Sequence, residues 1–178
     1  ATHLTVHCRT KLDGYKPPAH WNWIPKIKEQ VKSIPIIANG DIFTVDDFFR
    51  CQEETQCNQF MIGRGVMSDP FLFNKIQKQL TLSTNAESFN DQIDSSRQSI
   101  ADGRERSAEA PNEWMLSTEI IQTFFDRSSD YINHHFATAR TKQWLRGLSL
   151  RSTQAKSLFD EIKVIKNPIE FRQRLFLE

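Results

Sequence analysis

Apolar and polar positions follow two different rhythms along this chain. Near the N-terminus, short apolar runs recur and each is stopped by polar or glycine-rich residues: Leu4-Thr5-Val6, Ile34-Pro35-Ile36-Ile37-Ala38 and Phe60-Met61-Ile62. Runs of this length predict buried strands, expected here over 4–9, 34–38 and 59–62. The stretches between them carry helical spacing instead. Ile24, Ile27 and Val31 fall at i, i+3 and i+7 of a segment opening at Trp23, which gives one apolar helix face. Thr44, with Asp47 three residues on, reads as the N-cap of a second helix reaching about Thr55. Asp69-Pro70 reads as the cap and first residue of a third, continuing through Leu80. Strand-helix alternation of this kind predicts a parallel sheet covered by helices.

After Leu80 the rhythm breaks. Residues 81–111 are rich in Ser, Asn, Asp, Gln, Glu and Arg, with Phe89 and Ile93 isolated among them. That composition predicts a linker or surface excursion, and the domain boundary is expected there. From Asn112 onward the spacing is helical throughout. One helix is expected to carry Trp114, Ile120, Ile121, Phe124, Phe125, Tyr131 and Ile132 on its apolar side. Another carries Ala139, Trp144, Leu145 and Leu148. A third opens near Ser152 or Thr153, and a last one follows Pro168. Four short helices with apolar faces predict a small bundle. The fold class is therefore α/β followed by all-α, with domains at 1–80 and 112–178 joined by 81–111.

Composition narrows the function little. The 178 residues are 38% hydrophobic and 25% charged with a formal net charge of +1, so any nucleic-acid binding must come from a local patch. Cys8, Cys51 and Cys57 show neither metal-ligand spacing nor a disulfide framework, the usage of a reducing cytoplasm. No apolar stretch approaches the ~20 residues that cross a bilayer, and no signal peptide is visible.

The informative chemistry sits where the strands stop. The second strand ends at Asn39-Gly40-Asp41, the third at Gly63-Arg64-Gly65, and the first in a His7-x-Arg9 tail. Glycine lets backbone N–H groups approach a ligand, Asn donates and accepts, and Arg offers a planar fork for phosphate. Taken as turns, these residues explain the glycines but not the Arg. Parallel strands would bring all three ends to one edge, where α/β proteins bind phosphorylated ligands. Separately, Arg140, Lys142, Arg146 and Arg151 form an acid-free basic run, with His134 and His135 just upstream. Such a run is either a solvated helix face or a stripe that tracks a phosphate backbone.

These residues together resemble a known family. His7-Cys8-Arg9-Thr10-Lys11 followed by Gly14-Tyr15, then Pro35-Ile36-Ile37-Ala38-Asn39-Gly40-Asp41-Ile42, then Cys57 and Met61-Ile62-Gly63-Arg64-Gly65, are similar to the later barrel strands of the tRNA-dihydrouridine synthases. Ala139-Arg140-Thr141-Lys142-Gln143-Trp144-Leu145, with Ala155, Leu158-Phe159 and Ile162 beyond it, resembles the C-type bacterial branch, associated with uridine 16 of the D-loop. The resemblance implies the C-terminal part of a TIM (β/α)₈ barrel, about three β/α units, followed by a helical tRNA-binding domain. It also implies an FMN-dependent, NADPH-driven reductase of the uracil C5–C6 bond in tRNA, monomeric and cytoplasmic. His7, Asn39, Gly40, Asp41, Gly63 and Arg64 would bind FMN, and Arg140, Lys142 and Arg146 would bind tRNA.

A full barrel takes ~250 residues, and only three predicted strands precede the helical region. The expectation is therefore a C-terminal piece without the family's first five strands, a flavin-contacting lysine and the cysteine that protonates the uracil. Such a piece is expected to be inactive alone and prone to associate through its open barrel edge. Two other classes fit the residues less fully. A flavin barrel acting on a small molecule would leave the basic helix without a role, and a non-catalytic tRNA-binding module would leave the strand ends without one.

Overall fold

The computed structural model describes residues 1–14, 16–90 and 111–177. Tyr15 and the central part of the expected linker, 91–110, lie outside the described residues. The chain divides into two compact units, Ala1–Ser88 and Phe89–Glu178.

In the first unit, β1 (Leu4–His7), β2 (Ile36–Asn39) and β3 (Gln59–Met61) form a parallel sheet in the order β1-β2-β3. β2 starts two residues later than its apolar run, because Pro35 has no N–H to donate to the ladder, although its carbonyl still accepts from Leu4 N at 3.0 Å. Side chains alternate across the sheet. Ile36 and Ala38 are buried against the helical layer, with Val6 and Phe60 packed beside them. The other face carries Thr5, Ile37 and Gln59 in one register row and His7, Asn39 and Met61 in the next.

The helices that cover the sheet follow the apolar spacing. α1 (Trp23–Gln30) buries Ile24 completely, and Ile27 and Val31 pack beside the same core. α2 (Val45–Thr55) opens with the expected Thr44 cap. Asp47 N donates to Thr44 Oγ1 at 2.9 Å and Thr44 N donates to Asp47 Oδ2 at 3.0 Å, a reciprocal capping box.

Two findings differ from the sequence reading. A short helix, α3 (Arg64–Ser68), begins directly after β3. Its five residues are too few to show periodicity, and it displaces the next start, so that α4 spans Leu72–Asn90 rather than opening at Pro70. Asp69 still serves as a local cap, accepting from Phe71 N at 3.0 Å. Residues 81–90, expected in the linker, continue α4. No Gly or Pro interrupts the sequence from Phe71 to Asp102, and Thr81 and Ser83 turn their hydroxyls back to the carbonyls of Gln77 and Gln79, which removes their competition with the helical backbone.

The second unit holds α5 (Pro111–Tyr131), α6 (His134–Leu148), α7 (Thr153–Ile162) and α8 (Pro168–Leu175). α6 packs against each of the other three. Asn133, Ser152 and Asn167 cap α6, α7 and α8 through their side-chain oxygens, so three of the four starts are written locally. Ile121, Phe125, Leu145, Ile162 and Phe171 form the dry centre. The apolar side expected for α5 needs correction. Ile121 and Phe125 face inward, whereas Ile120, Tyr131 and Ile132 are exposed, Tyr131 by 89%. One residue along a helix turns the side chain by 100°, so Ile120 leaves the seam that Ile121 occupies.

Candidate functional site

The parallel register places His7 opposite Asn39, and Asn39 opposite Met61. Asn39 Nδ2 donates to the Met61 carbonyl at 2.7 Å. That bond fixes the amide orientation, leaving Oδ1 to accept from His7 Nδ1 at 2.6 Å. The imidazole is thus held by one nitrogen, and Nε2 remains for a ligand. His7 itself is exposed.

Two residues further along both strands, Arg9 meets Asp41. The carboxylate accepts from Arg9 Nη2, and the Arg9 and Asp41 side chains are only 1% and 10% exposed. Arg9 Nη1 also donates to the Gly14 carbonyl at 3.3 Å. The second Asp41 oxygen lies 3.5 Å from Arg64 Nη2, and the Arg64 side chain is 43% exposed. The Arg64 guanidinium carbon also sits 5.6 Å from the centre of the Phe43 ring. Asp41 makes this bridge from a left-handed backbone, φ 50°, which Asp tolerates better than most residues. Two guanidinium groups against one carboxylate leave one net positive charge at the strand ends.

The three glycines do different work. Gly40 has φ 130° and is buried. Trp21 Nε1 donates to its carbonyl at 2.9 Å, and a Cβ there would meet Ala19 Cβ at 3.0 Å. A Cβ on Gly65 would fall on the Ile42 carbonyl oxygen, whereas one on Gly63 would meet nothing within 4 Å. Gly65 therefore closes the β3 turn onto the β2 turn, and Gly63 leaves open space beside Arg64.

The geometry suits a phosphomonoester. It offers an exposed guanidinium, an open glycine and a net positive charge, and beneath them Arg9 Nε is buried without a partner among the described residues. A cavity of about 430 Å³ lies elsewhere, lined by Phe49, Gln52, Glu53, Gln56, Cys57 and Asn58. Those residues belong to the end of α2 and the start of β3, so that cavity is remote from the strand C-termini.

Of the expected site residues, the fold brings His7 to Asn39 and Arg64 to Asp41, with Gly63 alongside. It buries Gly40, whose contribution to any ligand would be limited to its backbone. Arg9, part of the strand-end tail but not of the residues expected to bind FMN, becomes the buried partner of Asp41. Its signal was the equal spacing of His7-x-Arg9 and Asn39-x-Asp41, which becomes meaningful once the register pairs His7 with Asn39.

All three cysteines are free and buried. Burial pushes the Cys8 thiol up to about 11 and the Cys51 thiol up to about 12, with the neighbouring cysteines adding to both. Neither offers a thiolate near neutral pH. No group of three or more His, Cys, Asp or Glu among the described residues is arranged to hold a metal ion, and no helix among them is long and apolar enough to cross a membrane.

On α6 the basic residues diverge. Arg140 and Arg146 are exposed. Arg140 lies over the Phe136 ring and donates to Gln143 Oε1 at 2.8 Å. Lys142 turns to the end of α7, donating to the carbonyls of Ile165 and, at 3.0 Å, Lys163. Burial lowers its ammonium pKa.

Parallel β/α units with their polar residues gathered at the C-terminal strand ends define an α/β protein of the strand-end-site class. Comparison with known sequences then identifies the family. The profile described as "Dihydrouridine synthase (Dus)" matches residues 1–167, and the chain belongs to that family. Among curated proteins, the chain is 35% identical to a tRNA-dihydrouridine(16) synthase of Pseudomonas putida, over 92% of this chain and 43% of that protein. It is 34% identical to the protein of the same name from Ralstonia nicotianae, over 96% of this chain and 44% of that one. With the protein of that name from Neisseria meningitidis serogroup B it shares 35% identity, over 97% and 44%. The chain thus spans less than half the length of the curated relatives it matches.

Proposed function

We propose that this chain is the cofactor-phosphate and tRNA-gripping portion of a flavin-dependent oxidoreductase that reduces the C5–C6 bond of uridine 16 in tRNA, with NADPH as the reductant. Family membership and the names of the relatives support the reaction. The three parallel β/α units are read as the later part of a (β/α)₈ barrel, with α5–α8 as the tRNA-binding domain. A tRNA substrate sets its workplace in the cytoplasm.

The observation that carries the proposal is the strand-end cluster of His7 on Asn39 and Arg64 on Asp41. Arg64 and the open Gly63 turn would hold the phosphate of FMN. His7, oriented by Asn39, would present Nε2 to the flavin ring system. FMN, when bound, supplies the two-electron reduction chemistry that no side chain carries. The family resemblance gives proton delivery to a cysteine, and Cys8, Cys51 and Cys57 are all buried, so none of the three is offered here as that donor. Arg140 and Arg146 are the exposed cations offered to the tRNA backbone.

The test is a titration of the purified chain with FMN, following quenching of flavin fluorescence, with Arg64→Ala alongside. Saturable binding that the substitution abolishes is the expected result. Failure of the wild-type chain to bind FMN would refute a cofactor-phosphate site in this chain.

A further inference from the structure

Asp41 is an acidic side chain in contact with both arginines at a site read as binding a phosphate, and in bulk electrostatics it belongs on the wrong side of the balance. Its geometry explains its presence. The carboxylate is 10% exposed, so it is a poor candidate for touching a ligand, yet its two oxygens bridge the buried Arg9 and the exposed Arg64. Arg9 is anchored in turn by the Gly14 carbonyl, and Phe43 lies against the Arg64 guanidinium. A long arginine side chain loses rotamer entropy when it grips a ligand, and holding it beforehand reduces that loss.

We propose that Asp41 is a positioning residue: braced by Arg9, it holds the Arg64 guanidinium at the cofactor phosphate and contributes affinity through Arg64 rather than by contact with the ligand. This rests on the proposed FMN site. It differs from a direct cofactor contact by the Asp41 side chain, and it makes a prediction opposite in sign to simple charge counting. Removing the carboxylate charge raises the local charge from one positive to two. If Asp41 were only a nearby charge, FMN would bind more tightly without it. As a positioning residue, its loss weakens binding.

The experiment uses the 178-residue chain with FMN and riboflavin as probes, the second lacking the phosphate. The variants are Asp41→Asn, Arg64→Ala and the double substitution. Asn tolerates the left-handed backbone at this position, and circular dichroism and urea midpoints check folding. Asp41→Asn is expected to weaken FMN about threefold, the scale of a partly exposed ion pair at 3.5 Å. It should leave riboflavin unchanged and have no further effect in the Arg64→Ala background. Tighter FMN binding, an equal loss for riboflavin, or a loss that persists without Arg64 would each overturn the positioning role. If Asp41→Asn does not fold, Arg9→Lys carries the same test, since it preserves the charge count but not the two-pronged brace. Wild-type chain that binds FMN no better than riboflavin, or FMN binding indifferent to Arg64→Ala, would instead refute the phosphate site itself.

Discussion

His7 Nδ1 and Asn39 Oδ1 lie 2.6 Å apart, 32 residues distant in sequence and joined only by the register of β1 on β2. Because Asn39 also donates to the Met61 carbonyl, one amide ties all three strands at the edge where the candidate site lies. Asn39→Ala removes both bonds and leaves the Met61 carbonyl without its donor. The two bonds are exposed, so the expected outcome is a stability loss of about 1 kcal/mol together with weaker FMN binding. Urea unfolding and flavin fluorescence measure the two. A variant that loses stability but binds FMN normally would show that His7 orientation is irrelevant to the cofactor.

The two glycines flanking Arg64 should respond very differently to an added methyl group. Gly65→Ala drives a Cβ onto the Ile42 carbonyl oxygen, which is backbone and has no easy retreat. A loss of about 3 kcal/mol is expected. Gly63→Ala meets nothing within 4 Å and sits at a helix cap, where the change costs less than about 1 kcal/mol. Paired urea melts decide this, and equal losses would contradict the close approach of the two turns.

Alkaline pH should destabilise the first unit through its thiols. In the unfolded chain Cys8 and Cys51 ionise near 9, whereas in the fold they hold their protons to about 11 and about 12. Above pH 9 the unfolded state therefore binds fewer protons, and stability falls as pH rises. The contribution is fully present below pH 9 and declines across 9–11 for Cys8 and 9–12 for Cys51, on the order of 1 kcal/mol per pH unit for each thiol. Urea midpoints at pH 8.5 and 10.5 should shift less in a Cys8→Ala, Cys51→Ala variant than in the wild type.

Lys142, although one of three basic residues offered for tRNA, is committed to carbonyls at the end of α7. Lys142→Met is expected to lower the stability of the helical unit by about 1 kcal/mol and to leave the salt dependence of tRNA binding unchanged. Arg140→Ala and Arg146→Ala should instead each reduce the salt slope by about one, the signature of a lost phosphate contact. Filter binding of tRNA across a salt series distinguishes the two behaviours.

Much of the architecture was legible locally. The Thr44–Asp47 box, Ser152, and Pro168 after its Asn167 cap mark helix starts with side chains that bond their own backbone, so neighbours in sequence suffice to read them. The same locality explains the errors. α3 is too short to show a period, and the polar composition of 81–90 conceals a helix because hydroxyls at positions 81 and 83 satisfy themselves on their own backbone. Ile120 and Ile121 are equally apolar, and only the packing of α5 on α6 decides which of them is buried.

The sequence by itself determined the strand–helix alternation, the helical C-terminal half, the glycine and Arg chemistry at the strand ends, and a family resemblance dense enough to name. Those are properties of short segments, where backbone propensity and side-chain type act over a few residues. Tertiary structure alone decided what the strand-end residues do to one another. Parallel register puts Asn39 on His7 and Asp41 between Arg9 and Arg64, so that the strand-end residues meet one another. In the helical unit, packing brings Lys142 Nζ to the carbonyls of Lys163 and Ile165, just beyond the end of α7. Each of these joins residues at least 21 apart in sequence, and nothing in the intervening chain specifies the partner until the sheet and the bundle have formed.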